Sequence, residues 1–201
     1  MTQPYPTPHP LPLAWKAFPV LAFAATLWFG LRLLVSPETL LAQNLPDDSY
    51  YYLTLARNFP ELWTWSFDGG GSLTTGFHPL WAWLLTGMQA LLHPSEAGFV
   101  RLAVGTGLAA TTLAFVTGWR TFARRHDAMG MAALAVVAAS PNVARFAPSA
   151  MEWPLVVLCA ALYIALLARL VLDGWTTRGL LALAAVGAVG NLARTDFGVM
   201  P

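Results

Sequence analysis

Charge is scarce in this chain. Only 10% of its 201 residues are Asp, Glu, Lys or Arg, against about a quarter in soluble domains, while 57% are hydrophobic and the mean hydropathy is +0.56. That shortage excludes a soluble domain and puts the chain in a bilayer. Cys159 is the only cysteine, which excludes an internal disulfide framework and any cysteine-based zinc site. A net charge of +1 is too small for the basic footprint that holds nucleic acid. A Walker lysine and the dinucleotide glycine spacing are both missing, so the glycine run at 69–71 has no phosphate-binding motif around it. Internal repeats are absent too. What remains is apolar sequence, and at ~20 residues per span the chain has room for about five membrane helices and one sizeable loop. This predicts an all-α, polytopic membrane helix bundle.

Five prolines between Met1 and Pro12 remove backbone donors and helical geometry, so residues 1–15 read as a disordered, proline-rich cytoplasmic tail. A first span runs from Lys16 to Val35, with Arg32 able to snorkel and Pro37 closing it. Residues 36–97 form the long first loop, expected outside. Within it, His78–Leu92 is apolar but only about 22 Å long as a helix against a ~30 Å core. With Trp81 and Trp83 in it, it reads as an interfacial helix anchored by both tryptophans. Further spans are expected at Phe99–Trp119, Trp153–Leu172 and from Gly179 onward, with Ala128–Ser140 crossing as one kinked helix that continues beyond Pro141. Ala184, Gly187, Ala188 and Asn191 predict close packing of the last span. This arrangement puts Arg120, Arg124, Arg125 and Arg178 in cytoplasmic loops, as the positive-inside bias requires. It also puts eight of the ten carboxylates, all but Asp127 and Asp173, toward the outer face. Apolar sequence runs to Pro201, so the chain reads as the N-terminal portion of a longer protein.

The most informative line is Pro46-Asp47-Asp48-Ser49, followed by Tyr50, Tyr51, Tyr52 and then Ala56-Arg57-Asn58. Proline, two acids and serine open a helix, with Tyr52, Leu55, Ala56 and Phe59 on one face and Pro60 ending it. One acid suffices for a cap. Two adjacent carboxylates can divide labour, one capping or binding a cation and the other taking a proton from a hydroxyl. His78 opens the next helix as either a structural residue or an acid-base group. Glu152 sits at the mouth of a span, and Arg194 and Asp196 lie two apart in apolar sequence. Such groups are functional candidates near a membrane, or else simple bundle-stabilising pairs, Arg194 with Asp196 or Glu152 with Arg145. Arg57, Arg145 and Arg194 are candidates to hold a phosphate.

In order, Asp47-Asp48 with the tyrosines and Ala56-Arg57-Asn58, then Phe67-Asp68-Gly69, then Gly76-Phe77-His78-Pro79-Leu80-Trp81 resemble the opening of an integral-membrane glycosyltransferase of the type C superfamily. Its relatives include protein mannosyltransferases and aminoarabinose transferases. The resemblance covers most of residues 17–200. It implies an enzyme of a bacterial-type inner membrane that transfers a hexose or pentose from a polyprenyl-phosphate donor, with inversion, to a lipid, glycan or protein acceptor on the outer face. By the same likeness Asp47 is the catalytic base, and Asp48 contacts the acceptor or a divalent cation, magnesium or manganese. His78 and Glu152 are the matching histidine and second acid, and Arg194 with Asp196 the later arginine-aspartate pattern. Two other readings remain: a transporter or channel fragment in which Glu152, Arg194 and Asp196 line a pathway, and a non-catalytic membrane subunit.

Overall fold

The computed structural model describes residues 12–197, and these are helical with no strand. The elements are α1 (Leu13–Leu34), α2 (Glu38–Gln43), α3 (Asp47–Leu62), α4 (Pro79–Leu92), α5 (Glu96–Arg124), α6 (Ala128–Ala138), α7 (Pro141–Phe146), α8 (Trp153–Asp173) and α9 (Thr177–Ala193). Of these, α1, α5 and α8 are long and apolar enough to cross a membrane, about 31 to 43 Å at 1.5 Å per residue. The apolar α6 and α9 are shorter, at 11 and 17 residues. Helix ends follow local chemistry. Ser95, Asp127 and Thr176 accept from the backbone N–H of Gly98, Gly130 and Gly179, satisfying first-turn donors. Gly174, at φ 107°, turns the chain from α8 into α9 in a conformation that favours glycine.

α1 and α5 run antiparallel, and α8 runs parallel to α5, their C-terminal ends joined by Arg125 and Asp173. Phe23 of α1 stacks on Phe115 of α5 with ring centres 4.3 Å apart, and the Trp119 indole donates to the Lys16 carbonyl at 3.3 Å. At the other end Arg101 donates to the carbonyls of Leu34 and Ser36, each at 3.1 Å. Its cation meets the orphan carbonyls at the C-terminus of α1, where the helix dipole is negative. α8 packs extensively on α5, and α9 on α8. Arg125 clasps Asp173 at 3.0 Å where α5 and α8 meet. One end of the bundle therefore carries Lys16, Arg120, Arg124, Arg125, Arg169 and Arg178, and the other carries eight of the ten carboxylates.

Several sequence expectations need correction. The first helix starts at Leu13, inside the expected tail, whose first eleven residues lie outside the described residues. The kinked helix from Ala128 is two helices, because Pro141 supplies no N–H and Ser140 becomes the start of α7. α3 does not stop at Pro60. It runs to Leu62 and ends at Trp63 in the left-handed conformation, since a proline in the last turn gives up only one helical bond. In α9, Ala184 and Ala188 are exposed, while the expected Gly187 lies beside Tyr163 of α8 and Gly190, not expected, lies beside Phe197. Trp81 is no interfacial anchor, being wholly buried, whereas Trp83 is 53% exposed.

Candidate functional site

At the carboxylate-rich end, α3 and α4 pack on each other and on the start of α5, with Tyr52, Leu53, Ala56, Trp81, Leu85, Phe99 and Val104 in one core. The sequence dictates this local fold. The buried positions of α3 recur at helical spacing, and Phe59, Trp65, Phe77 and Trp83 gather where α3, the following loop and α4 meet. That loop is internally tied: Asp68 accepts from Ser66 Oγ, Ser72 Oγ and Ser72 N–H at 2.7–2.9 Å. These bonds, those from Ser72 foremost, hold the Asp68 carboxyl well below the usual carboxylate range.

The unexpected element is the segment between α7 and α8. Every residue from Ala147 to Glu152 is buried, yet none is helical. Buried irregular backbone needs partners for its polar groups, and two side chains from the first loop supply them. Ser49 Oγ donates to the Ser149 carbonyl, and Trp81 Nε1 donates to the Ala150 carbonyl at 2.9 Å. Gly107 of α5 completes the seat. A Cβ there would lie 2.8 Å from the Ala147 carbonyl oxygen, so only glycine lets the segment approach this closely.

This docking carries Glu152 into the site. The residue is only 3% exposed, and its Oε1 lies 3.6 Å from both His78 Nε2 and Arg194 Nη1. These are ion-pair distances, too long for hydrogen bonds. Glu152 Oε2 and His78 Nδ1 are buried with no hydrogen-bond partner among the described residues. Arg194 also bonds Asp196 at 2.8 Å through Nε and lies over the Trp153 ring, 5.2 Å from its centre. The Tyr52 hydroxyl accepts from the His78 backbone N–H at 3.2 Å. Burial, with the charges of Glu152 and Asp48 facing it, raises the Tyr52 pKa well above the ordinary tyrosine value, against the lowering effect of the His78 N–H. Four stretches distant in sequence thus meet here: the start of α3, the start of α4, the segment at 147–152, and the end of α9.

The other expected site residues are distributed unevenly. Asp47 and Asp48 are the first two residues of α3, which has no side-chain cap bond. Neither acts as the hydrogen-bonding cap, and both sit where the helix dipole favours negative charge. Burial first and the Asp47 charge next push the Tyr50 pKa up, and the Asp48 charge adds to the raising of Tyr52. Arg57 points elsewhere and pairs with Glu96. Arg145 does not pair with Glu152; its guanidinium lies 5.6 Å from the Phe146 ring centre, beside a cleft that reaches Pro46. Of the two pairs considered from sequence, Arg194 with Asp196 forms, and Glu152 takes Arg194 and His78 in place of Arg145.

Tyr52, Ser49 and Trp81 also belong to the site, without a functional signature in the sequence pattern. A buried serine and tryptophan carry no sequence signal for a hydrogen bond across 100 or 69 residues. For Tyr52 a signal existed, because a tyrosine one turn after an acid on a helix's buried face brings its hydroxyl into the core. Among the described residues no three His, Cys, Asp or Glu side chains gather as a metal-holding group. Comparison with protein-family models, curated proteins and solved structures finds no match to this chain.

Proposed function

We propose that this chain works in a membrane glycosyltransferase that moves a sugar from a polyprenyl phosphate to an acceptor hydroxyl at the outer membrane face. The observation that carries the reading is the meeting of His78 and Arg194 on the buried Glu152 carboxylate, with Asp196 paired to the same arginine, at the end of the bundle rich in acids. A sugar on a lipid phosphate already has a good leaving group. The site then needs a base for the acceptor and positive charge for the phosphate. In this reading the acceptor oxygen forms a bond to the anomeric carbon as the bond to the phosphate oxygen breaks. The electron pair leaves with the phosphate, held by Arg145 or Arg194, and the hydroxyl proton passes to Asp47. Asp48 contacts the acceptor. His78 and Glu152 hold Arg194 in place, with Tyr52 fixing the start of α4 through the His78 N–H.

The finer topology belongs to the same proposal. α1, α5, α8 and α9, together with α6 continued by α7, make five crossings. Residues 36–97 lie outside and α4 rests in the interface. At 14 residues, α4 is about 21 Å long, well short of a ~30 Å core. Gathering of arginines at the opposite end supports that orientation. The test is sugar transfer from a radiolabelled polyprenyl-phosphate sugar by membranes carrying the complete natural chain, against the same membranes with Glu152→Gln. The change keeps the shape but removes the charge that positions Arg194. Transfer falling about tenfold or more, equivalent to one lost charge-assisted bond, with unchanged protein level is expected. Full transfer by the variant, or none by the natural protein, refutes the reading.

A further inference from the structure

One face of α3 carries more than the acid at its start. Asp47, Tyr50, Thr54 and Arg57 follow one another at spacings of three and four residues, which sets them in one line along the helix. Tyr50, Thr54 and Arg57 line a cleft of about 290 Å³, closed on its other side by Gln89 near the end of α4 and by Glu96 and Phe99 at the start of α5. Its size is at the lower end for small-molecule sites. None of its lining residues belongs to the Glu152 cluster, and the proposed reaction leaves it without a use.

Three features define what fits. Arg57 and Glu96 are the only charged residues of the lining, and they pair with each other. The cleft therefore presents no net charge, and an ionic ligand must compete with that pair. Gln89 has an amide oxygen that is buried with no hydrogen-bond partner among the described residues, and such a group calls for a donor. The Tyr50 ring, held by the bond its hydroxyl donates to the Ala42 carbonyl at 2.9 Å, and the Phe99 ring give an apolar wall. An uncharged ligand with hydroxyl donors and C–H faces meets all three demands, and that is the chemistry of a neutral sugar. The line along α3 adds a length. From Asp47 to Thr54 is about 10 Å at 1.5 Å per residue, more than one sugar ring bridges. Resting on the transferase reading, we infer that this cleft holds the second sugar unit of a neutral glycan acceptor whose first unit offers its hydroxyl to Asp47. Binding of the remote unit then positions the reacting hydroxyl.

The test is binding of the complete natural chain, purified in detergent, to a printed array of single sugars and of short neutral and acidic glycans. Neutral chains of two or more units should bind about tenfold or more above single sugars and acidic chains, the ratio one hydrogen bond gives. Gln89→Leu, which removes the unpartnered acceptor, should weaken the neutral chains by a similar factor. Thr54→Trp, which fills the cleft, should abolish their binding, and it decides the matter alone if Gln89→Leu fails to accumulate. Failure of every neutral chain to bind overturns the inference. Equal binding of single sugars or acidic chains, or binding unchanged in both variants, overturns it as well. Glycan binding by a chain that transfers no sugar keeps this site and refutes the transferase reading. Sugar transfer by a chain that binds no glycan does the reverse.

Discussion

Asp47 and Tyr52 sit five residues apart on one helix and make opposite demands of an experiment. Asp47 is exposed and makes no side-chain cap bond, so Asp47→Asn removes only its favourable position near the helix dipole, about 0.3–1 kcal/mol. As the proposed base it is indispensable, and transfer by the complete natural chain should fall by ~100-fold or more while the protein accumulates normally. Retained transfer moves the base to Asp48. Tyr52 instead reports through pH. Its folded pKa is raised, by burial first and by the Glu152 and Asp48 charges next. The contribution of the neutral hydroxyl is therefore complete below the ordinary tyrosine value of about 10 and is lost as pH rises above it. Thermal unfolding in detergent should show a steeper loss of stability above about pH 10 in the natural protein than in Tyr52→Phe; parallel curves would place Tyr52 outside the cluster. At this scale the sequence was readable where chemistry is rare: Glu152, Arg194, Asp196 and His78 stood out as polar groups in apolar surroundings, and they meet. Arg57 and Arg145 could not be sorted this way, because Glu96 and Phe146 reach them only through the packing of α5 and the short α7.

Among the elements, the segment Ala147–Glu152 decides whether a site exists. It is backbone pressed onto backbone at Gly107, so Gly107→Ala must displace a carbonyl, where a flexible side chain could have yielded. Overpacking of this kind costs about 1–3 kcal/mol. The shift should also carry Glu152 away from His78, so transfer should drop further than Glu152→Gln alone accounts for by charge. A Gly107→Ala protein with unchanged melting and activity would show that the segment has room to spare. The three long helices were legible from hydropathy and length, as was the buried face of α3. The break at Ser140 was legible only as a kink, because proline marks where a helix fails without saying where the chain turns next. Nothing in Ala147–Met151 announces burial either. Apart from Met151 these are small residues, and their environment is made by Ser49, Trp81 and Gly107 from other parts of the chain.

For the whole molecule the chief prediction is which end faces out. Leu73 and Trp175 are both exposed and lie at opposite ends of the bundle. Cysteines placed singly at these positions, in a Cys159→Ala background, should behave differently toward a membrane-impermeant thiol reagent in intact cells: position 73 labelled, position 175 protected. The opposite pattern would put the acids in the cytoplasm and remove the outer-face reaction. The bundle's polarity of charge was visible in the sequence because arginines and carboxylates alternate between loops, whereas the meeting of the first loop with residues 147–152 was not. That meeting also sets a clock. Trp81 and Ala150 are 69 residues apart, so at roughly 5–20 residues per second the indole leaves the ribosome about 3–14 s before the carbonyl that will accept its proton. Through that interval the acids of α3 and the histidine of α4 have no Glu152 to face. The acid-rich end of the molecule therefore matures late, only after the chain has returned across the bundle to meet a loop made long before.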